Sequence, residues 1–253
     1  MLLKKRLLCV GIASTIILGT LFISNADNDK NLILEYNEEV KLSFNKLLDS
    51  EGVEFVKVTY DNGQWIEIYR DLDNQFERVD FYASDGTLVT RDLTTDGGTS
   101  ITTLGRDEGN YVATRLVQPK SVANENSELL KISMIDSFFT TDVMNGLELD
   151  WKLANFQDDN LYKYTSENGN LYIDKETKEL VKREVIFSGE IIQTIEYDKL
   201  NNQNNKSLDG IFSINAPLST DKARKSIDFS SIKVKDFNVE DDEFYSDDPN
   251  PVG

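Results

Sequence analysis

The chain contains no histidine and a single cysteine, Cys9. A Ser/His/Asp or Cys/His catalytic arrangement within this chain, and a zinc site with histidine ligands, are therefore excluded. Basic residues are also few, 27 against 45 acids, so the formal net charge is −18. A surface of this sign repels nucleic acid phosphates and anionic lipid headgroups, so we expect no direct binding to either. The acidity favours solubility, and the alternatives are a basic partner or loosely held cations.

Sequence motifs that carry chemistry are equally scarce. The glycines Gly97, Gly98 and Gly105 lack the lysine and the helix start of a phosphate-binding loop. Residues 71–75 offer oxygen ligands at alternate positions, but they lack the glycine and the glutamate of a calcium loop, so we interpret them as a turn. We predict no catalytic residue, no metal ligand and no cofactor.

Carboxylates are the one abundant catalytic group. Among 45 acids some pair always meets the spacing that a glycosidase requires, so an acid-dependent hydrolase is only a third hypothesis. Trp65 and Trp151 each lie in a predicted strand, where a tryptophan is more typical of a core or an interface than of a sugar-binding platform.

The first 26 residues have the pattern of an export signal. Basic residues at 4–6 precede an uncharged apolar run at 7–23, and Ser24 and Ala26 are small residues at the −3 and −1 positions of a cleavage site. We place the cut between Ala26 and Asp27. The apolar run would span roughly 25 Å as a helix, so an uncleaved membrane anchor is the alternative. Both interpretations export the folded part of the chain.

Cys9 lies inside this leader, so the mature chain has no cysteine for a disulfide. Residues 6–8 do not form a lipid-attachment motif, and the apolar run follows Cys9 instead of preceding it. Cleavage of the leader removes three of the 27 basic residues and no acidic residue. The mature chain then has 24 basic and 45 acidic residues and a formal net charge of −21.

Two stretches have the apolar spacing of amphipathic helices. The first covers residues 28–50, and its apolar positions recur at intervals of three and four: Ile33, Tyr36, Val40, Phe44 and Leu47. The second is predicted at residues 128–139, after a polar stretch at 121–127. Its apolar face is broad and comprises Leu129, Ile132, Ile135 and Phe139, with Leu130 and Met134 alongside. Either helix can cover an apolar sheet face.

Most of the remaining chain reads as short strands between polar turns. Between residues 53 and 118 the turns recur about every 10 to 13 residues, which is typical of an antiparallel meander, and the first of them is a hairpin turn at 61–63. Residues 161–197 predict four more strands. Further predictions are a strand around 149–155, a short strand at 211–214, a helical turn at 221–226 and a weak strand at 232–237.

One face of these strands is predicted to be apolar. In the last hairpin Val185 and Phe187 alternate with Lys182 and Glu184, and a matching set of apolar residues, Ile191, Ile195 and Tyr197, follows the turn. Ten apolar residues are candidates to line an apolar ligand site, with ordinary core packing as the alternative for each: Val56, Val58, Ile66, Ile68, Val79, Phe81, Val185, Phe187, Ile195 and Tyr197.

The segment LYIDKETKELVKREVIFSGEIIQTIEY at residues 171–197, followed by IFSINAP at 211–217, resembles the superfamily of lipoprotein carriers. Its members include the outer-membrane lipoprotein carrier and receptor, a periplasmic sigma-factor regulator, mycobacterial lipid-transfer lipoproteins and Gram-positive lipoproteins, one of them needed for spore germination. The order of elements extends the resemblance to residues 32–217. It implies an α+β fold, a curved antiparallel half-open β-barrel covered by the N-terminal and mid-chain helices, with an apolar cavity for acyl chains.

The sequence thus predicts a leader at residues 1–26, a carrier-like domain at 27–217, a C-terminal extension at 218–239 and a disordered acidic tail at 240–253. The leading hypothesis is an exported, non-enzymatic bacterial envelope protein that binds an acyl chain, a lipidated ligand or a partner protein. The alternative is an interaction module with a filled core that supports or regulates a cell-envelope or spore-cortex enzyme. The oligomeric state stays open.

Overall fold

The computed structural model describes residues 38–118, 120–138, 151–201 and 210–238. The predicted leader, the first part of the N-terminal helix and the acidic tail lie outside the described residues. The chain divides into two compact units, one drawn from residues 1–51 and 133–199 and the other from residues 52–132 and 200–253. No helix in the described residues combines the length and the apolar character needed to cross a membrane.

The regular elements follow one another along both units. In chain order they are α1 Glu38–Asp49, β1 Val53–Tyr60, β2 Trp65–Asp71, β3 Phe76–Tyr82, β4 Leu88–Thr95, β5 Ser100–Asp107, β6 Asn110–Val117, α2 Lys120–Leu130, β7 Lys152–Leu153, β8 Leu161–Ser166, β9 Gly169–Asp174, β10 Leu180–Phe187, β11 Glu190–Leu200, α3 Asp221–Ser226 and β12 Val234–Asn238. Short 3-10 helices lie at Asp96–Gly98 and Phe229–Ser231.

The second unit contains the predicted meander. Its strands are ordered β12-β6-β5-β4-β3-β2-β1, and each consecutive pair from β1 to β6 is antiparallel. The hairpin turn at 61–63 is confirmed, since the Gly63 amide donates to the Tyr60 carbonyl at 3.0 Å. The C-terminal strand β12 pairs with β6 in parallel, which confirms the weak strand signal at 232–237.

The C-terminal residues of the second unit form part of its core. Leu218, Ala223 and Ile227 are buried in one cluster with four residues of the sheet, Tyr82, Leu88, Leu104 and Ala113. The predicted helical turn at 221–226 is confirmed as α3. The strand predicted at 211–214 is wrong, because these residues form turns whose carbonyls accept hydrogen bonds from arginine side chains and not from a neighbouring strand.

The mid-chain helix differs from its prediction. Residues 120–130 are helical, so the stretch at 121–127 is part of α2, and the helix is interrupted at 131–133 before residues 134–138 become helical again. The Asp136 amide donates to Ser133 Oγ at 3.1 Å, which is the bond of an N-cap. Two predicted apolar-face residues are exposed: Leu129 near the end of α2 and Ile132 in the interruption.

The first unit contains the predicted strands at 161–197, ordered β11-β10-β9-β8-β7. The consecutive pairs are antiparallel. The described part of the apolar stripe in α1 is confirmed as buried: Val40, Phe44 and Leu47. Of the strand predicted around 149–155, only Lys152–Leu153 is strand in the described residues, and the adjacent Trp151 is buried.

A bulge interrupts the apolar alternation predicted for the last hairpin. Val185 is opposite Gln193, but Ile186 is opposite Ile191, so Ile192 is the extra residue in β11. The prediction that Ile191 continues the face of Ile195 and Tyr197 is therefore wrong, because the bulge moves it to the other face. Phe187 is opposite Glu190 at the end of its strand.

These features confirm the predicted α+β class. Within each unit the sheet is mostly antiparallel, with β12 as a terminal strand in the second unit and β7 as a terminal strand in the first. Near α2, Gly98 has a φ of 88°, and a Cβ there would lie 2.9 Å from the Cβ of Asn126. The glycine therefore permits the close approach of α2 to the 3-10 helix.

Candidate functional site

Six of the predicted lining residues share one face of β1–β3. In the strand register Val56 is opposite Ile68, which is opposite Val79, while Val58 is opposite Ile66, which is opposite Phe81. Residues directly opposite one another in neighbouring strands point to the same side of a sheet. We name this set, Val56, Val58, Ile66, Ile68, Val79 and Phe81, the wall face.

The wall face is closely packed over most of its extent. Val56, Val58, Ile66 and Ile68 have exposed fractions of 0%, 3%, 4% and 2%. Val79 and Phe81, on β3, are half-buried. Four of the six side chains are therefore as inaccessible as ordinary core residues, and access increases from β1 towards β3.

The same side of the sheet continues across β4–β6 and is more exposed there. Asp92, opposite Val79, is followed by Thr103 and Thr114 along the same row, and the Thr103 hydroxyl donates to Asp92 Oδ1 at 2.6 Å. The apolar residues of this region, which we name the open end, are the half-buried Ile101 and Leu116 and the 41% exposed Val112.

A buried row of charged residues borders the wall face. Glu54, Arg70 and Glu77 are opposite one another in β1, β2 and β3. Arg70 Nε donates to Glu77 Oε2 at 2.8 Å, and Arg70 Nη1 donates to the carbonyl of Ile132 at 2.9 Å. The hydrogen bond from Arg70 holds the segment after α2 against the sheet. The sequence pattern did not predict this buried row, because charged residues normally face solvent.

The opposite side of the same strands carries a second buried ionic cluster, formed by Arg78, Asp80 and Arg91, which we name the arginine clamp. Arg91 Nε donates to Asp80 Oδ1 at 2.7 Å, and the Nη2 atoms of Arg91 and Arg78 donate to Asp80 Oδ2 at 2.7 Å and 2.5 Å. Burial by itself raises the pKa of Asp80, but hydrogen bonds from Arg91 and the charges of both arginines lower it overall.

The arginine clamp holds the backbone of residues 211–217 against the sheet. Arg78 Nη1 donates to the carbonyl of Ile211 at 3.2 Å, and Arg91 Nη1 donates to the carbonyls of Ile214 and Ala216 at 2.9 Å and 2.8 Å. These bonds satisfy carbonyls in a segment without regular secondary structure. The clamp therefore anchors the C-terminal part of the second unit.

Tyr82 extends the clamp towards Ser219. Its hydroxyl donates to Asp80 Oδ2 at 3.4 Å and accepts from the Ser219 amide at 3.3 Å. Burial, followed by the charges of Asp80 and Glu67, raises the pKa of Tyr82 to about 12. The Tyr82 ring stacks on Trp65 with centroids 4.9 Å apart, so Trp65 belongs to packed structure, as predicted.

The remaining predicted lining residues lie in the first unit. Ile195 and Tyr197 are buried, Val185 is half-buried and Phe187 has an exposed fraction of 69%. Phe187 shares the side of Val185 but lies beyond the bulge, at the tip of the hairpin. The structure therefore places Ile195 and Tyr197 in the core and leaves Phe187 accessible.

The other side of β9 and β10 carries a polar network around Glu184. Glu184 Oε2 accepts from Asn170 Nδ2 at 2.8 Å and from the Tyr172 hydroxyl at 2.9 Å, and Lys182 Nζ donates to Oε1 at 3.1 Å. Burial raises the pKa of Glu184, but these three hydrogen bonds lower it overall. Lys182 Nζ also lies 3.8 Å from the centroid of the Tyr172 ring, which is a cation–π contact.

Asp80 and Glu184 each accept hydrogen bonds from neighbouring cationic side chains. A glycosidase needs one acid with a raised pKa, whereas the pKa values of Asp80 and Glu184 are both lowered. Asp71 accepts from the amide and side chain of Asn74 at 2.9 Å and 2.8 Å, which matches the predicted turn. Within the described ranges no group of three or more acidic or cysteine side chains is arranged to hold a metal ion.

Comparisons with known proteins find structural similarity at low sequence identity. No protein-family model matches the chain, and no curated protein matches it. An uncharacterized conserved protein from Thermus thermophilus is similar at 12% identity over 68% of this chain and 94% of that chain, with a TM-score of 0.33. MucB is similar at 13% identity over 72% of this chain and 65% of that chain, with a TM-score of 0.36.

MucB in complex with MucA(peri) is similar at 12% identity over 72% of this chain and 62% of that chain, with a TM-score of 0.30. The chain therefore spans less than two thirds of both MucB chains.

Proposed function

We propose that this chain is an exported, non-enzymatic module that binds a partner protein through the exposed parts of its sheet. The observation that carries the proposal is the burial of the wall face, where Val56, Val58, Ile66 and Ile68 are at most 4% exposed. Side chains this inaccessible contact other protein atoms, so their apolar surface is already used in folding. Protein binding then has to use other surfaces.

Two further features support this proposal. The residue pattern of the leader at 1–26 favours export, and the formal charge of −18 favours a partner with a basic surface because complementary charges accelerate encounter. The exposed Val112 and the half-buried Ile101 and Leu116 at the open end offer apolar contact area beside the buried wall face.

An acyl-chain carrier is the second candidate. It is favoured by Val79 and Phe81, which are half-buried on the wall face next to the open end. A single acyl chain needs an apolar surface that folding leaves unfilled, and these two residues are the part of the wall face where such a surface remains.

Site-specific photo-crosslinking in living cells tests the proposal. A photoreactive amino acid at Val112 is expected to give a discrete protein adduct, because this side chain is exposed at the open end. The same amino acid at Asp73, an exposed residue in the turn between β2 and β3, is the control and is expected to give no such adduct. A lipid adduct at Val112, or equal protein adducts at both positions, would contradict the proposal.

A further inference from the structure

The strand β12 ends the sheet of the second unit next to β6. It pairs in parallel over five positions, from Val234 opposite Ala113 to Asn238 opposite Val117. On its other side β6 pairs with β5 antiparallel over eight positions. The β6 strand is thus held firmly by its chain neighbour β5, and by a shorter, more remote strand at its outer edge.

Side-chain packing contributes little to the position of β12. Ile232, just before the strand, packs against the core of the second unit, and Phe237 is half-buried. Val234, by contrast, is 44% exposed, and Lys235 and Asp236 are exposed as well. Most of the interaction with β6 is therefore the backbone ladder. Segments with few buried apolar contacts open at low free energy.

The ion pair between β6 and β12 is also solvent-exposed. Arg115 Nε and Nη2 donate to the two carboxylate oxygens of Asp236 at 2.9 Å and 3.0 Å, and the side chains are 48% and 54% exposed. Exposed pairs contribute little to stability, although a bidentate geometry selects a carboxylate specifically. Arg115 therefore selects a strand that carries a carboxylate beside it, but the ion pair adds little to the stability of the β12–β6 pairing.

We infer that the edge of β6 is a docking site for an extended segment of a partner protein, and that β12 occupies this edge in cis until the partner displaces it. This inference rests on the proposed function and names the surface through which it operates. Departure of β12 exposes a row of unpaired backbone N–H and C=O groups, which is the template for adding a strand.

The residues along β6 indicate the chemistry of the partner segment. Arg115 provides a cation that pairs with a carboxylate in β12, so the partner requires an acidic residue at the same register. Leu116 is opposite Phe237, so we expect the partner segment to place an apolar residue next to its acid, at the position that Phe237 takes in β12. Val112 and Val117 add exposed apolar surface at the two ends of β6.

A peptide of residues 232–238 is the probe for this site. We expect a fluorescent version to bind saturably, with one peptide per chain, to a chain that ends at Lys233. An Asp236→Lys peptide is expected to bind about tenfold more weakly because it loses the bidentate pair and also places a second cation against Arg115. The Arg115→Glu chain is expected to recover binding of that peptide. A folded truncated chain that fails to bind the original peptide would overturn the inference.

A disulfide lock tests the same edge without truncation. Thr114 is opposite Lys235, so Thr114→Cys and Lys235→Cys in a full chain with Cys9→Ser are expected to join β12 to β6 on oxidation. In the reduced chain, β6 amides that face β12 are expected to exchange hydrogen about tenfold faster than those that face β5. Oxidation is expected to remove this difference, and equal rates before oxidation would contradict a displaceable strand.

The outcomes separate this inference from the proposed function. Peptide binding that persists at equal affinity in the oxidised chain would place the site elsewhere and overturn the inference. A dimer of the full chain that the lock abolishes would make the occupant a second copy and would overturn the assignment to a partner protein. Neither result depends on the photo-crosslinking at Val112, which tests protein binding itself.

Discussion

At the scale of single residues, Asp80 is the most constrained group in the second unit. A buried carboxylate loses its hydration, and the loss is offset here by four hydrogen bonds from two arginines and by the Tyr82 hydroxyl. The same arginines hold the carbonyls of residues 211–217. Loss of the carboxylate would therefore leave two buried cations and weaken the anchoring of the C-terminal segment.

We predict that Asp80→Asn lowers the free energy of unfolding at pH 7 by about 3 to 5 kcal/mol, the typical cost of removing one partner from a buried ion pair. The lowered pKa of Asp80 in the folded chain means that its contribution is present above the unfolded value of 3.8 and is lost as pH falls through the folded value. Urea denaturation at pH 7 and pH 3 measures both effects.

The difference in the free energy of unfolding between the parent chain and Asp80→Asn is expected to be smaller at pH 3 than at pH 7. Asp73→Asn is the matched control, since Asp73 is exposed, and its unfolding curve is expected to follow the parent at both pH values. A difference between parent and Asp80→Asn that stays constant from pH 7 to pH 3 would contradict the assigned role of the carboxylate.

The sequence predicted the wall face but not the clamp, for a physical reason. Strict alternation assigns Val79 and Phe81 to one side of β3 and Arg78 and Asp80 to the other, and charged residues are normally solvated. Here residues from the C-terminal part of the unit cover the charged side. The one sequence signal was an aspartate and an arginine in neighbouring strands, and Asp80 is indeed opposite Arg91.

At the scale of elements, the close approach of β9 and β10 depends on Gly169. This residue begins β9 opposite Val185, and a Cβ at its position would lie 2.4 Å from the carbonyl oxygen of Glu184. A real Cβ does not come this close to a backbone oxygen, so any side chain here requires the two strands to separate. The side chain of Glu184 also anchors the polar network with Tyr172.

We predict that Gly169→Ala lowers the free energy of unfolding by about 1 to 3 kcal/mol, the usual cost of overpacking. Gly105→Ala is the matched control in β5, because the nearest atom to its added Cβ is a methyl carbon of Thr90 at 4.0 Å. Thermal unfolding of both variants tests this. Equal destabilisation by the two substitutions would mean that general strand propensity, and not the clash with Glu184, sets the effect.

Elements whose determinants are local could be predicted, and those determined by remote residues could not. Turn residues fix the meander and the strands of 161–197, so both were predicted correctly. The turns at 211–214 depend on arginines more than 100 positions earlier, which no local pattern reveals. The extra residue Ile192 has the same apolar character as its neighbours, so periodicity did not indicate the bulge.

At the scale of the whole molecule, the sequence left cavity and core as alternatives because both use the same apolar alternation. Burial of Val56, Val58, Ile66 and Ile68 supports a packed core. The surfaces proposed for partner binding are therefore the open end and the edge of β6. The absence of histidine excludes histidine-dependent chemistry. The identity of a partner depends on complementary surfaces, which the sequence of one chain does not reveal.

The central claim is that the wall face is packed protein and not the lining of an acyl-chain site. The most direct measurement is denaturing lipid extraction of the gently purified chain, kept free of detergent, followed by mass spectrometry of the extract. If the wall face is packed protein, the folded chain is expected to yield far less than one molecule of acyl lipid per chain. Stoichiometric acyl lipid in the extract would contradict it and establish the carrier in its place.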